Sequence, residues 1–345
     1  MRKIKDVLLV ALLIMTFPLF LSAQEEMVDY IPKISGYVQG LYQLNEGEET
    51  HSNTFKMQRV RVSVDGNIGK KVTYKVQGDL VSSPVLMDAY LKFSVCPQFS
   101  VQAGQFKLPF TMETAMHPMD LEIFDYGESV KRLVGYSDVC GFGKSGRDIG
   151  IMFSGDLFRM EDKDFSLLNY SIGIFNGSGP NVIDIDKKKD VVGRIKFHPW
   201  LKNLTLTASG YYGKYSEEKF LRMRYSFGAE YRNDAFMVRS EYLRGKTGAM
   251  LFNTRGCYAV AGYKFRFGDE KKQQTLMPLL RYEYLSNDVG SSFSATSYYT
   301  IGLDYWPMKN VNLKLNYSLI QNLDEVDVSR IVSLNRVSAL LSFRF

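Results

Sequence analysis

Histidine, cysteine and long apolar stretches are scarce in this chain of 345 residues, which contains 3 histidines and 3 cysteines. Cys96, Cys140 and Cys257 are widely spaced and form no C-x-x-C pair, so the sequence offers no metal or redox motif, and we expect no metal and no cofactor. No histidine lies in a G-x-S-x-G or H-E-x-x-H setting. These absences disfavour an enzyme.

The main apolar stretch lies at the N-terminus, where Arg2, Lys3 and Lys5 precede an apolar run over 7–20. The run is followed by Leu21, Ser22 and Ala23, and small residues before Gln24 fit the pattern of signal-peptidase cleavage after Ala23. The run is short for a spanning helix, which needs roughly 20 apolar residues. We therefore predict a signal peptide over 1–23, with a membrane anchor as the alternative. No later segment is apolar enough for a transmembrane helix.

Aromatic residues and glycine are abundant, with 22 Tyr, 23 Phe and 28 Gly. This composition is typical of a turn-rich β protein. The mean hydropathy of −0.16 disfavours a helical membrane protein. It is compatible with a barrel that has a wet lumen, because only alternate residues of each strand meet lipid.

Alternation of apolar and polar residues marks about 16 candidate strands. In the last ten residues, the odd positions from Val337 to Phe345 are apolar, and the even positions from Arg336 to Arg344 are mostly polar. Successive side chains of a strand point to opposite faces, so one face of this strand is apolar and the other is mostly polar. The predicted strands are 34–43, 55–66, 72–80, 86–95, 98–107, 147–157, 168–176, 190–198, 204–213, 222–232, 235–245, 256–267, 276–286, 298–306, 310–320 and 336–345.

The lengths of the connections favour a barrel over a soluble sandwich. Gaps after even-numbered strands tend to be short, and gaps after odd-numbered strands tend to be longer, with exceptions at 81–85, 158–167 and 268–275. Short periplasmic turns and longer outer loops produce this order. A sheet in lipid must also close, because an open edge leaves backbone groups unpaired. We predict an all-β transmembrane antiparallel barrel over 34–345, preceded by a lead-in over 24–33.

The longest connection covers 108–146, and a loop of that length in a compact domain is usually functional. It forms the third extracellular loop of the predicted barrel. Two placements remain open: folding into the lumen, where it would narrow the bore, or lying over the rim. Lys131, Arg132 and Lys144 are its candidate constriction residues.

The predicted inward faces carry 16 cations and eight acids, an excess larger than the formal net charge of +6 for the whole chain. Linings of Arg and Lys favour anions and phosphate, and the planar guanidinium bonds two phosphate oxygens at once. The alternative is that many of these cations pair with neighbouring acids and only stiffen the wall. The predicted pore-lining and anion-binding residues are Arg59, Arg61, Lys75, Lys92, Arg194, Lys196, Arg222, Arg224, Arg239, Lys264, Arg266 and Arg281. The other inward cations are Arg232, Lys314, Arg336 and Arg344, and the inward acids are Asp65, Asp79, Asp88, Asp148, Glu230, Glu241, Glu283 and Asp304.

The segment Gly104-Gln105-Phe106-Lys107-Leu108-Pro109-Phe110 resembles a motif of the phosphate-selective porin O and P family. Arg147-Asp148-Ile149-Gly150-Ile151, Tyr170-Ser171-Ile172-Gly173-Ile174-Phe175-Asn176-Gly177 and Val192-Gly193-Arg194-Ile195 extend the similarity. The resemblance implies a 16-stranded outer-membrane channel, often trimeric, that passes anions such as phosphate. The arginine ladder and lysine cluster of that family do not map onto this sequence position by position. The last strand resembles the terminal strand of outer-membrane barrels, which the assembly machinery is thought to read through its final aromatic residue, here Phe345.

Together these features predict a passive diffusion channel for small solutes in the bacterial outer membrane, with a preference for anions and possible passage of phosphate. The expected partners are the lipid bilayer, small anionic solutes and the barrel assembly machinery, with a homotrimer as an open possibility and no nucleic acid. The alternative is a plugged barrel that acts in binding or adhesion through its outer loops. A soluble β protein is the third interpretation.

Overall fold

A computed structural model describes residues 31–47, 51–82, 85–136, 138, 145–160, 165–184, 187–199, 203–215, 220–247, 252–269, 273–289, 292–323 and 331–345. The predicted signal peptide, most of the predicted lead-in, Cys140 and Lys144 lie outside the described residues. The cleavage site and the domain boundary at the N-terminus therefore stay predictions.

The strands form one antiparallel sheet that closes on itself. The first strand pairs with the second and also with the last, so that Tyr37 lies opposite Arg61 on one side and Arg344 on the other. Closure gives every strand two neighbours and removes the open edge that lipid would penalise. The barrel has 16 strands, which confirms the predicted fold class.

We number the strands in chain order. The twelfth is interrupted at Lys264, and both of its parts pair with the thirteenth. The strands are β1 Lys33–Gly47, β2 His51–Ile68, β3 Val72–Asp79, β4 Leu86–Cys96, β5 Phe99–Lys107, β6 Arg147–Met160, β7 Phe165–Phe175, β8 Asp190–Phe197, β9 Leu204–Tyr215, β10 Phe220–Arg232, β11 Phe236–Thr247, β12 Phe252–Tyr263 with Phe265–Phe267, β13 Gln274–Val289, β14 Ser292–Met308, β15 Val311–Leu323 and β16 Ile331–Arg344.

Several strands run further toward the loop end than the sequence predicts. The predicted connection 44–54 is largely strand, because β1 continues to Gly47 and β2 begins at His51. The predicted connection 287–297 shrinks in the same way between β13 and β14. Beyond the lipid band both faces of a strand meet water, so the alternation fades although the backbone pairing continues. The long connections 108–146 and 176–189 remain at this end.

Burial in this barrel is inverted relative to a soluble protein. On β16, Leu341 is 54% exposed and Phe343 is 45% exposed, whereas Ser338 and Ser342 are buried. Aromatic pairs ring the outside near the turn end, including Phe99 stacked on Phe153 with ring centroids 5.9 Å apart. Apolar outer faces bounded by aromatic girdles are the surface that a bilayer requires.

The described helices lie in the long connection after β5. They are α1 at Met112–Ala115, a 3-10 turn at Pro118–Asp120 and α2 at Glu128–Val134. Thr111 caps α1 through a capping box with Thr114, which satisfies otherwise unpaired backbone groups at the helix start. Within the described ranges, no helix has the length and apolar character to cross a membrane.

Candidate functional site in the barrel lumen

The described part of the connection after β5, residues 108–136 and 138, lies inside the barrel. Its backbone carbonyls accept hydrogen bonds from Arg194 of β8 (to Thr111, 2.9 Å) and from Lys314 of β15 (to Met119, 2.7 Å). Its Asp125 forms an ion pair with Arg59 of β2. These three strands lie on well-separated parts of the ring, and only a segment within the lumen can reach all of them. Of the two predicted placements, the structure shows the inward one. We call residues 108–136 and 138 the lumen loop.

Apolar side chains of the lumen loop pack against apolar side chains that the wall turns inward. Phe110, Val130 and Leu133 are fully buried and belong to one cluster with Leu243 and Tyr258 of the wall. Helix α2 approaches the wall closely: a Cβ at Gly256 would lie 2.3 Å from the Ser129 Cβ, so a larger residue there would displace the helix. This cluster excludes water from one part of the lumen.

Buried ion pairs attach the lumen loop to β11 and β13. Glu113 forms an ion pair with Arg281, and Glu122 binds Arg239 with a separation of 2.5 Å between carboxylate and guanidinium atoms. Gly127 permits the close approach of the loop backbone to Arg281, because a Cβ at position 127 would lie 2.2 Å from an Arg281 nitrogen. Removing one partner of such a pair leaves an uncompensated buried charge, which is strongly destabilising. The pairs therefore fix the position of the loop.

Two further attachments hold the second half of the loop. Arg224 of β10 binds Asp138 at 2.5 Å and donates to the Leu133 carbonyl at 2.7 Å. Lys131 lies between two acids of the loop itself, with Nζ 2.9 Å from both the Asp125 and Glu128 carboxylates. A predicted constriction residue is thus already neutralised within the loop. Arg132 is exposed, and Lys144 lies outside the described residues.

The ionisation of the loop carboxyls reflects these partners. Burial alone would raise the pKa of Glu122, but the charge and hydrogen bond of Arg239, with help from Arg232, lower its pKa to about 2. Burial likewise opposes ionisation of Asp125, and the charges of Lys131 and Arg59 hold its pKa below the usual range. Both groups are charged at neutral pH, so the attachments act as ion pairs.

The structure divides the predicted anion-binding residues into two groups. The first group contains six of the predicted residues, all of them buried arginines whose guanidinium lies against a carboxylate, as in the Arg61–Asp79 pair at 2.8 Å. Arg147, which was not among the predicted residues, is paired with Asp88 in the same way. This is the alternative in which cations stiffen the wall. The prediction from strand alternation counted wall acids only, and the loop acids Glu113, Glu122, Asp125 and Asp138 reduce the free positive charge further. The paired arginines are Arg59, Arg61, Arg147, Arg222, Arg224, Arg239 and Arg281.

The second group has no ion pair within the described part of the chain. It contains Lys75, Lys92, Lys196, Lys264 and Arg266. Thr73 of β3 lies opposite Lys92 of β4, which makes Lys75 and Lys92 diagonal neighbours on one face, about 7–8 Å apart at the backbone. Arg194 is intermediate between the groups, because it donates to a backbone carbonyl of the loop. We call Lys75 and Lys92 the β3–β4 lysines.

Two residues near the β3–β4 lysines escaped the sequence analysis of the lumen. Lys107 ends β5 and donates to the Met116 carbonyl at 2.8 Å. His117 packs edge-on against Tyr37, with ring centroids 4.6 Å apart. Burial lowers the pKa of His117 to about 4, and the positive charges of Lys107 and Lys75 act in the same direction. Lys107 belongs to the quoted family motif, but it is the last residue of β5. At the end of a strand, alternation does not indicate whether the side chain points into the lumen. No signal in the sequence pointed to His117.

A cavity of about 1060 Å³ lies on the turn side of the lumen loop. Arg232 is paired there with Glu122 and Glu230, and Arg344 lies over the Trp306 ring with its guanidinium carbon 5.7 Å from the centroid. The charged residues that line the cavity are Asp120, Glu122, Glu230, Arg232, Lys264, Arg266, Asp304, Lys309 and Arg344. A vestibule lined by charges of both signs therefore leads to the loop from the turn end.

A closed 16-stranded barrel with an apolar outer wall, a polar lumen and one long loop folded inward defines a porin of the bacterial outer membrane. The family model described as phosphate-selective porin O and P matches residues 33–239 of the sequence, and the chain belongs to that family. The resemblance noted from the motifs is thereby confirmed. Its family and fold are those of channel proteins.

Solved structures with the same fold include porins with little sequence similarity. The anion-selective porin from Comamonas acidovorans has a TM-score of 0.64 at 12% identity, covering 91% of this chain and 99% of that one. OmpF of Salmonella typhi, in complex with daunomycin, has a TM-score of 0.67 at 13% identity, covering 91% and 97%. The trimer form of OmpT from Vibrio cholerae has a TM-score of 0.62 at 11% identity, covering 91% and 99%. No curated protein matches the chain.

Proposed function

We propose that this porin is a passive diffusion channel that prefers small anions, phosphate among them. The observation that carries the proposal is the set of lumen cations without an ion pair in the described structure, above all the β3–β4 lysines beside Lys107. These charges are available to a solute, whereas the buried arginines are already neutralised by acids.

The surroundings of His117 support a positive potential in this part of the lumen. Lys107, Lys75, Arg344 and Arg61 all lie close enough to disfavour a proton on its ring. The His117 Nδ1 accepts the Met119 N–H at 3.3 Å, as a neutral imidazole does. Burial is the larger cause of the lowered pKa of His117, but the positive charges that add to it attract an anion, and a narrow low-dielectric passage strengthens that attraction.

Phosphate is the finer part of the proposal. It is supported by the description of the family and by the anion selectivity of the Comamonas acidovorans porin. Lys ammonium groups bind phosphate as point charges, without the bidentate geometry of arginine. We therefore expect weak, rapidly reversible phosphate binding, which suits a channel because a tightly bound ion blocks conduction.

Neutralising the β3–β4 lysines tests the proposal. In planar bilayers with a salt gradient, we expect the wild-type reversal potential to show anion preference, and Lys75→Gln with Lys92→Gln to move it toward zero. A unit charge about 4 Å from an ion in water is worth about 1 kcal/mol, which is about fivefold in the permeability of that ion, so the anion-to-cation permeability ratio should fall by at least about fivefold. Millimolar inorganic phosphate should reduce the chloride current less in the double variant.

The matched control is Lys214→Gln with Lys246→Gln, which removes two exposed lysines from the outer face of the wall. This control should keep the wild-type reversal potential. An unchanged reversal potential in the Lys75 and Lys92 double variant, or cation preference in the wild type, contradicts the anion proposal. No conductance from correctly folded protein would favour the plugged binding barrel.

A further inference from the structure

Four cations surround the vestibule on the turn side of the lumen loop. Lys264 and Arg266 of β12, Lys309 in the turn after β14 and Arg344 of β16 all line it. Within the part of the chain that the structure describes, none of the four has an ion pair. Lys264 also lies within range of the like charges of Arg232 and Arg266. Like charges gathered around a cavity with low-dielectric walls attract an anion.

The acids that line the vestibule leave most of this positive charge available. Glu122 and Glu230 both form ion pairs with Arg239. Asp304 is buried and accepts a hydrogen bond from the neighbouring strand. Asp120 is exposed and has no ion pair among the described residues. The lining therefore keeps an excess of positive charge that a solute can reach.

Aromatic and apolar side chains complete the lining of the vestibule. Trp306 is half-buried, and Met308 is 58% exposed. The register places Arg266 opposite Thr275 and Thr275 opposite Trp306, on three consecutive strands. Arg266 and Trp306 are thus two strand spacings apart, about 10 Å at the backbone. A long arginine side chain spans much of that distance, so an indole ring and a guanidinium meet the same small volume.

We propose that the vestibule binds a small aromatic anion, with its ring against Trp306 and its charged group at Lys264 and Arg266. Aromatic rings stack on indole, and a guanidinium bonds two oxygens of a carboxylate or a phosphate at once. The vestibule volume of about 1060 Å³ is ample for a molecule with one ring. The inference rests on the proposed function and deepens it, since it names a class of solute that the channel would hold at its turn-end mouth.

Tryptophan is also common at the membrane interface, where it stabilises a barrel through contact with lipid headgroups. Trp306 differs because it lines a cavity in the lumen, with the Arg344 guanidinium carbon 5.7 Å from its ring centroid. A purely structural Trp306 makes a different prediction, since its replacement would then leave the binding of an aromatic anion unchanged.

Tryptophan fluorescence measures the binding directly. The chain has two tryptophans, so Trp200→Phe leaves Trp306 as the single reporter in the detergent-purified full chain. The probes are benzoate, acetate (the charge without the ring) and benzyl alcohol (the ring without the charge). We expect a saturable fluorescence change with benzoate, and binding of the other two about tenfold weaker or less. The binding titration requires no conduction and is therefore independent of the reversal potential.

In the same background, Lys264→Gln with Arg266→Gln should weaken benzoate binding about tenfold, because two exposed charges are lost. The matched control is Lys214→Gln with Lys246→Gln, which removes two exposed lysines at the loop end and should leave the binding unchanged. Heat-modified mobility on gels confirms that each variant is folded.

Block of the chloride current by benzoate in planar bilayers tests the ring contact. Trp306→Leu should weaken the block about fivefold, and Trp306→Phe, which keeps an aromatic ring, should retain most of it. Several results would overturn the vestibule site: no saturable change with benzoate, acetate or benzyl alcohol binding as tightly as benzoate, or undiminished binding in the double Gln variant or undiminished block in Trp306→Leu. Anion preference in the reversal potential with no benzoate binding contradicts the vestibule site alone, whereas cation preference with saturable benzoate binding contradicts the anion channel.

Discussion

Basic side chains serve two purposes in this lumen, and their partners decide which. Arg239 is fully buried and contacts Glu113, Glu122 and Glu230. Lys264 on the neighbouring strand is half-buried, lines the vestibule and has no ion pair in the described structure. The first residue holds the loop, and the second faces the water through which solutes pass.

Neutral substitutions at these two positions should therefore have different effects. Arg239→Gln leaves buried carboxylates without their partner, and breaking such a pair costs about 3–5 kcal/mol. Lys264→Gln changes a solvated side chain and should alter the free energy of unfolding by less than about 0.5 kcal/mol. Urea unfolding in lipid vesicles, followed by tryptophan fluorescence, gives both values. Equal losses in the two variants would show that Arg239 does not carry the attachment.

The lumen loop is the element that fills part of the barrel interior. Its backbone meets Lys314 from one side, with distances of 2.7 Å to the Met119 carbonyl and 2.5 Å to the Leu121 carbonyl. Ion pairs and an apolar cluster attach it elsewhere. A loop held by so many buried contacts should stay in place during conduction, because releasing it exposes apolar surface and separates charges.

The attachment of the loop should depend on pH through Glu122. Its pKa is lowered to about 2 by Arg239 and Arg232 in spite of burial, so its stabilisation is complete above the unfolded pKa near 4.5 and is lost as pH falls through about 2. Single-channel recordings should show steady conductance from pH 7 to pH 4 and growing fluctuations near pH 2. Glu122→Gln should show the fluctuations already at pH 7. Fluctuations in the wild type beginning near pH 4.5 would contradict the lowered pKa.

At the scale of the molecule, the seam that closes the barrel extends to Phe345. Phe345 N–H donates to the Gly36 carbonyl and Gly36 N–H donates to the Phe345 carbonyl, both at 3.0 Å. The Phe345 side chain is 61% exposed on the outer wall. Its backbone thus completes the seam between β16 and β1, while its ring is accessible to a partner such as the assembly machinery.

Phe345→Ala separates these two roles. The backbone hydrogen bonds remain, so refolding of the purified variant into detergent should match the wild type within about 1 kcal/mol. If the ring is read during assembly, the amount of folded variant in the outer membrane of cells should fall severalfold. Heat-modified mobility of membrane fractions measures that amount. An undiminished level in cells would show that the ring is not needed for assembly.

Strand alternation is the part of this fold that the sequence reveals. The lipid-facing residues Val337, Ala339, Leu341 and Phe343 of β16 alternate with mostly polar ones, and the predicted strand began only five residues late. The loop ends of β1 and β2 were missed, because water on both faces removes the alternation there. The inward direction of the lumen cations was predicted, but their pairing was not, since Asp125 and Arg59 are 66 residues apart.

The sequence alone determined the barrel, its outer-membrane location and the polar lumen face, because lipid outside and water inside act on every second residue of a strand. The tertiary structure alone decided where the lumen loop lies and which cations it neutralises. Those contacts join residues far apart in the chain, and no local pattern records them.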